Sequence, residues 1–250
     1  MGTIFKFSNT SVKIGSQLIL EAISLEIKEK EIVAIVGNNG AGKTTLLSCM
    51  LHIIPFYSGE IEIFGIPLTK SHHAYKSRVG AFLNDTFLLE ELKVEEYLAF
   101  TGRFQGLSKE QVKTRSLELM DVFDVGSMAS TMIKKLSKGN YVKVGLIAAM
   151  LHNPECLILD EPFVHLDMNT VEILKKVVLN MKGKKTIVIT SHDLDALEGL
   201  ATRYIVMDKG KIIHDIEADK HDFLSIKEQI KKQLVENADA KAAAISKIVQ

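Results

Sequence analysis

Short apolar segments alternate with helix-length ones along most of this 250-residue chain, the pattern of an α/β core built on a largely parallel sheet. Two kinds of strand signal stand apart. Ile32-Val33-Ala34-Ile35-Val36, Cys156-Leu157-Ile158-Leu159 and Thr186-Ile187-Val188-Ile189 are unbroken apolar runs, as strands covered on both faces require. Ile4-Phe5-Lys6-Phe7, Ile23-Ser24-Leu25-Glu26-Ile27 and Ile61-Glu62-Ile63 alternate apolar with polar residues, which predicts half-exposed antiparallel strands near the start. From roughly Asp85 to Asn153 the spacing turns helical, beginning with Leu92, Tyr97, Leu98 and Phe100 and continuing through Val112, Leu119, Met120 and Phe123. Ser108 and Gln111 have the spacing of a capping box. Tyr204–Met207 and Lys211–Ile213, joined by Asp208-Lys209-Gly210, read as a hairpin.

After Ala218 the chain is charged and then alanine-rich, with Ile226, Ile230 and Leu234 four apart, which predicts a peripheral amphipathic helix. The expected organisation is a body over 1–217, carrying a helical subdomain at about 85–153, and a helical tail over 218–250. In fold class this is α/β: a core with a mainly parallel sheet, an antiparallel β subdomain and an inserted α-helical subdomain.

Composition narrows the class of partners. An apolar share of 46% against 25% charged is that of an ordinary globular chain. The 31 basic and 31 acidic residues cancel, so bulk charge predicts no nucleic-acid partner. Cys49 and Cys156 sit in apolar runs and read as core residues of a reduced compartment. No run approaches the roughly 18 apolar residues of a membrane span, and Met1–Lys6 lacks a secretory pattern; the expectation is a soluble, cytoplasmic chain.

The candidate chemistry starts at Gly37-Asn38-Asn39-Gly40-Ala41-Gly42-Lys43-Thr44, which fits G-x-x-x-x-G-K-[ST] between a buried strand and a helical run opening at Thr45. Glycines let main-chain N–H groups turn toward an anion, and a helix N-terminus adds unpaired donors and a positive dipole end. Residues 37–45 are therefore the expected triphosphate cradle of a P-loop NTPase core, with Lys43 reaching the outer phosphates and the Thr44 hydroxyl ligating Mg²⁺.

Several segments C-terminal to this loop resemble those of one family. Leu136-Ser137-Lys138-Gly139-Asn140, an apolar helix, then Cys156-Leu157-Ile158-Leu159-Asp160-Glu161-Pro162 resembles the signature motif and Walker B segment of ABC ATPases. Val164-His165-Leu166-Asp167 looks like their D-loop and Thr190-Ser191-His192 like their switch-histidine strand end, so the resemblance spans about 3–215. It implies ATP and Mg²⁺ as ligands, with Asp160 in the metal shell, Glu161 polarising the attacking water and His192 near the γ-phosphate. It also implies a head-to-tail dimer, in which Ser137, the Gly139 backbone and Asp167 serve the nucleotide held by the other subunit's loop. Ser137 reads independently as a helix N-cap.

The chain departs from the pattern in several places. Asn84 stands where the family usually has the glutamine that senses Mg²⁺. The Val12-Lys13-Ile14 stretch offers no aromatic to stack on adenine. The signature carries Lys138 for glycine and Asn140 for glutamine, and Lys138 reads equally as a phosphate contact or a solvated charge.

The resemblance implies an ATP-hydrolysing subunit that powers transport through separate membrane-spanning permease subunits, from the cytoplasmic face of the membrane. It pairs with an identical or paralogous ATP-binding subunit. Phe87–Leu98 and Gly106–Glu110 resemble the drug- and antibiotic-exporter branch. Two other readings stand beside it: a soluble ABC ATPase such as that of iron–sulfur cluster assembly, and a regulatory subunit that binds ATP without cleaving it.

Overall fold

The computed structural model describes residues 2–68, 75–84, 88–218 and 223–232. The chain runs through β1 (Thr3–Ile14), β2 (Gln17–Lys28), β3 (Ile32–Val36), α1 (Lys43–Met50), β4 (Ser58–Ile63), β5 (Ile66–Pro67) and β6 (Val79–Phe82). It continues with α2 (Val94–Phe104), α3 (Lys109–Val122), α4 (Lys138–Met150), β7 (Cys156–Asp160), α5 (Met168–Met181), β8 (Thr186–Ser191), β9 (Arg203–Asp208) and β10 (Lys211–Glu217). A last helix, α6, covers 223–232.

The strands form two sheets. One is antiparallel, in the order β2-β1-β4-β5; the other has the order β10-β9-β3-β8-β7-β6 and is parallel except at the β9–β10 hairpin. Every residue of β3, β7 and β8 is buried, which is why these runs carry no alternation. Successive residues of β3 enter opposite cores. Ile32, Ala34 and Val36 face the helices of the second half of the chain, whereas Val33 and Ile35 face α1 and the antiparallel sheet. The α/β class, the mainly parallel sheet, the antiparallel sheet and the inserted helices are all present as expected.

Some boundaries differ from the sequence reading. β1 extends to Ile14, well past Phe7, because it pairs with β2 on one side and β4 on the other and tolerates shifts of register between Phe7 and Thr10. Asp85 lies outside the described residues, and 88–93, which are described, are not helical. Helix α2 begins at Val94, where the Lys93 N–H donates to Glu96 Oε2 at 2.9 Å and fixes the first turn. The Ser108–Gln111 capping box forms reciprocally, at 3.1 and 2.8 Å. Ile226 and Ile230 of α6 are buried against the second-half core, so this part of the tail docks on the body; Leu234 lies outside the described residues.

Helix α4 packs directly on the edge strand β6. A Cβ on Gly80 would stand 2.0 Å from the Ala149 carbonyl oxygen, so only glycine permits this approach. Among the described residues no helix is long and apolar enough to cross a membrane.

Candidate active site

The loop between β3 and α1 is shaped by what lies behind it. Gly42 adopts φ 100°, and a Cβ there would meet the Leu20 side chain at 2.7 Å. The Ala41 N–H donates to the Asn38 carbonyl at 3.1 Å, and the Leu46 N–H makes an early helical bond to the Gly42 carbonyl at 2.9 Å. No side chain caps α1. Its first N–H groups, those of Lys43, Thr44 and Thr45, are thus the donors a helix leaves unpaired at its start. This is a positively polarised cradle open to an anion.

Lys43 is buried at the base of the loop. Its Nζ donates to the Gly37 carbonyl at 2.8 Å and the Asn38 carbonyl at 3.4 Å, and lies 3.6 Å from Glu161 Oε1. Glu161 follows the end of β7 with φ 47°, a left-handed conformation rare for a residue with a Cβ. That turn aims its carboxylate back at the loop. Glu161 Oε2 accepts the His192 N–H at 3.2 Å and lies 2.9 Å from His192 Nδ1. Lys43, Glu161 and His192, drawn from three separated segments, therefore form one contiguous cluster.

Asp160, wholly buried, is gripped at both oxygens. Thr44 Oγ1 donates to Oδ2 at 2.8 Å and Thr190 Oγ1 donates to Oδ1 at 2.5 Å. A carboxylate next to a hydroxyl at the mouth of a phosphate cradle is a hard-oxygen donor set of the kind that Mg²⁺ selects.

Asn84 is not part of that set in this arrangement. It is exposed beyond β6 and lines a different cavity, of about 400 Å³, with Lys138, Tyr141 and His165. Nor do Ser137, Gly139 and Asp167 reach the loop of their own chain. Ser137 caps α4 by accepting the Asn140 N–H at 3.3 Å. Gly139 backs onto the His165 carbonyl, where a Cβ would come within 2.9 Å. Asp167 caps α5, accepting the Thr170 hydroxyl at 2.7 Å and N–H at 2.9 Å, with Lys143 at 3.9 Å; these bonds hold its carboxyl below the usual aspartate range. Together the three form a second cluster at the starts of α4 and α5.

At the β1–β2 hairpin tip the exposed large apolar side chains are the aliphatic Ile14 and Leu18. The Lys13 ammonium lies 3.7 Å from the ring centroid of Tyr57.

Two features escaped sequence reasoning. The Thr190 hydroxyl also accepts the Glu161 N–H at 2.8 Å, tying β8 to the residue after β7. The available signal was a polar residue closing an otherwise apolar strand. The other is the placement of α6, whose Lys227 pairs with Asp195 and which, with Lys231, closes a cavity shared with Gly37, Asn38, Asn39 and His192. Only contact between distant segments reveals it.

Comparison with known proteins gives a consistent picture. The family profile described as "ABC transporter" matches residues 20–164. An uncharacterised ABC transporter ATP-binding protein of Methanocaldococcus jannaschii, MJ1023, is 34% identical over 84% of this chain and 76% of its own length. The bacitracin transport ATP-binding protein BcrA of Bacillus licheniformis is 29% identical over 88% of this chain and 71% of its own. A solved dimeric bacterial ABC transporter cassette, MJ0796, superposes with a TM-score of 0.76 at 25% identity, covering 86% of this chain and 98% of that one.

Proposed function

The chain belongs to the ABC transporter ATP-binding family, and from that premise we propose that it powers export through separate membrane-spanning permease subunits. As a member it binds and hydrolyses ATP and works as a dimer. The soluble iron–sulfur alternative is not favoured, since the relatives are transporter subunits. Export is supported by the likeness to the bacitracin transport protein. With a membrane-spanning partner, the subunit acts from the cytoplasmic face of the membrane.

One observation carries the reading of the site: Glu161 is held between Lys43 and His192, beside the uncapped start of α1. The main-chain donors of residues 37–45 bind the phosphates, and Lys43 neutralises their outer end. Glu161 orients the attacking water and accepts its proton, while His192 fixes the position of Glu161. Magnesium would be held by Thr44 and Asp160 and would neutralise charge on the phosphate oxygens. Ser137, Gly139 and Asp167 have no hydrogen bond or ion pair to residues 37–45 of their own chain among the described residues, which fits a role toward the nucleotide of a facing subunit.

The test is Glu161→Gln, which keeps the shape and removes the charge. Turnover falls by about 10²–10⁴-fold while ATP affinity persists. In ATP and Mg²⁺ the variant accumulates as a dimer by light scattering. Undiminished turnover contradicts the assignment. Co-purification with a membrane-spanning partner tests the transport reading separately.

A further inference from the structure

Most of the phosphate-side residues are exposed or partly so, but one hydroxyl side chain beneath them is wholly buried. Thr190 is 0% exposed, near the end of β8, and is the cross-strand partner of Asp160 on β7. Its hydroxyl has one proton and lone pairs to accept with, and both capacities are used. It donates to Asp160 Oδ1 at 2.5 Å and accepts the Glu161 N–H at 2.8 Å. A single side chain thereby fixes two consecutive residues, one at its carboxylate and the other at its backbone.

The consequence depends on the other hydroxyl. Thr44 donates its one proton to Asp160 Oδ2 and keeps its lone pairs for a cation, so its hydroxyl would answer to the metal as well as to Asp160. Thr190 shares no such duty, so it is the anchor whose geometry no metal would set. It also holds the Glu161 N–H, at a residue whose φ of 47° requires support from its surroundings.

The geometry points to Thr190 as a positioning residue that keeps Asp160 and Glu161 in register with the phosphate cradle, independently of the Thr44 hydroxyl that would serve the metal. The inference rests on the roles assigned above to Asp160, Glu161 and Thr44.

The experiment compares Thr190→Val, which preserves shape without the hydroxyl, with Thr190→Ser, which restores it. Three readouts are taken on the full chain: turnover, affinity for a fluorescent ATP analogue in EDTA, and Mn²⁺ binding with ADP by electron paramagnetic resonance. In Thr190→Val, turnover falls about tenfold or more and the half-saturating Mn²⁺ concentration rises several-fold, while metal-free nucleotide affinity stays within about threefold. Thr190→Ser stays within about threefold of the parent in all readouts. If Thr190→Val does not fold, Thr190→Ala takes its place in the comparison. Parental turnover and Mn²⁺ binding in the hydroxyl-free variant overturn the inference, as does failure of Thr190→Ser to restore them. A Glu161→Gln control separates the two levels. If that control turns over normally, the site reading fails; if it is inert while Thr190→Val is parental, only the role of Thr190 falls.

Discussion

The Lys43 ammonium lies 3.6 Å from the Glu161 carboxylate, both largely withdrawn from water at the base of the phosphate loop. A buried charge is tolerated when it is paired and hydrogen-bonded, and Lys43 has Glu161 and two carbonyls to serve. On the proposed reading, an incoming triphosphate competes with Glu161 for this cation. On that reading the same competition frees the carboxylate to face a water molecule, so binding and the arming of Glu161 are one rearrangement.

Lys43→Ala is therefore expected to weaken ATP binding by about 1.5–3 kcal/mol or more, which is tenfold to a hundredfold and beyond. Titration with a fluorescent ATP analogue measures this. Parental affinity in the variant contradicts the cradle.

His192 contributes through its ring and its N–H, and only the ring is lost in His192→Ala. The Glu161 carboxylate keeps the main-chain bond at 3.2 Å but loses the imidazole at 2.9 Å. Turnover should drop by about 10–100-fold with ATP affinity nearly unchanged. An equal loss in both quantities shows instead that the ring binds ground-state nucleotide.

The two thiols give a pH-dependent prediction. Burial pushes the Cys49 pKa up from 9.0 to about 11, and burial raises that of Cys156 as well. A thiol whose folded pKa is raised contributes stability in full below its unfolded pKa, and that stability is lost as pH rises through the folded value. Urea midpoints should fall as pH rises from about 9 toward 11. At pH 8 a disulfide-exchange reagent should label neither cysteine in native protein and both in urea. Rapid native labelling contradicts the buried placement of both.

Gly80→Ala tests the join between the sheet and the helical insert. The new Cβ meets the Ala149 carbonyl oxygen at 2.0 Å, backbone against backbone, so β6 and α4 must separate. Overpacking costs about 1–3 kcal/mol where flexible side chains yield, and a main-chain clash is expected to cost at least the upper figure. Urea denaturation reads the difference, and a parental midpoint refutes the close approach.

The sequence by itself determined the α/β alternation, because strands covered on both faces need unbroken apolar runs and half-exposed ones need a period of two. It likewise determined the glycine turn and helix start at 37–45, since glycine conformational freedom and a helix start are local properties, and the Ser108 cap, which closes within four residues. Local pattern did not place the start of α2, where Lys93 and Glu96 settle a boundary that apolar spacing left several residues early. The tertiary structure alone decided that Lys43, Glu161 and His192 meet, that Thr190 holds both Asp160 and the Glu161 backbone, and that α6 lies over the loop carrying Asp195. Those contacts join residues up to a hundred and more positions apart. Their geometry is set by the order of β3, β8 and β7 in the sheet, which no window of neighbouring residues contains.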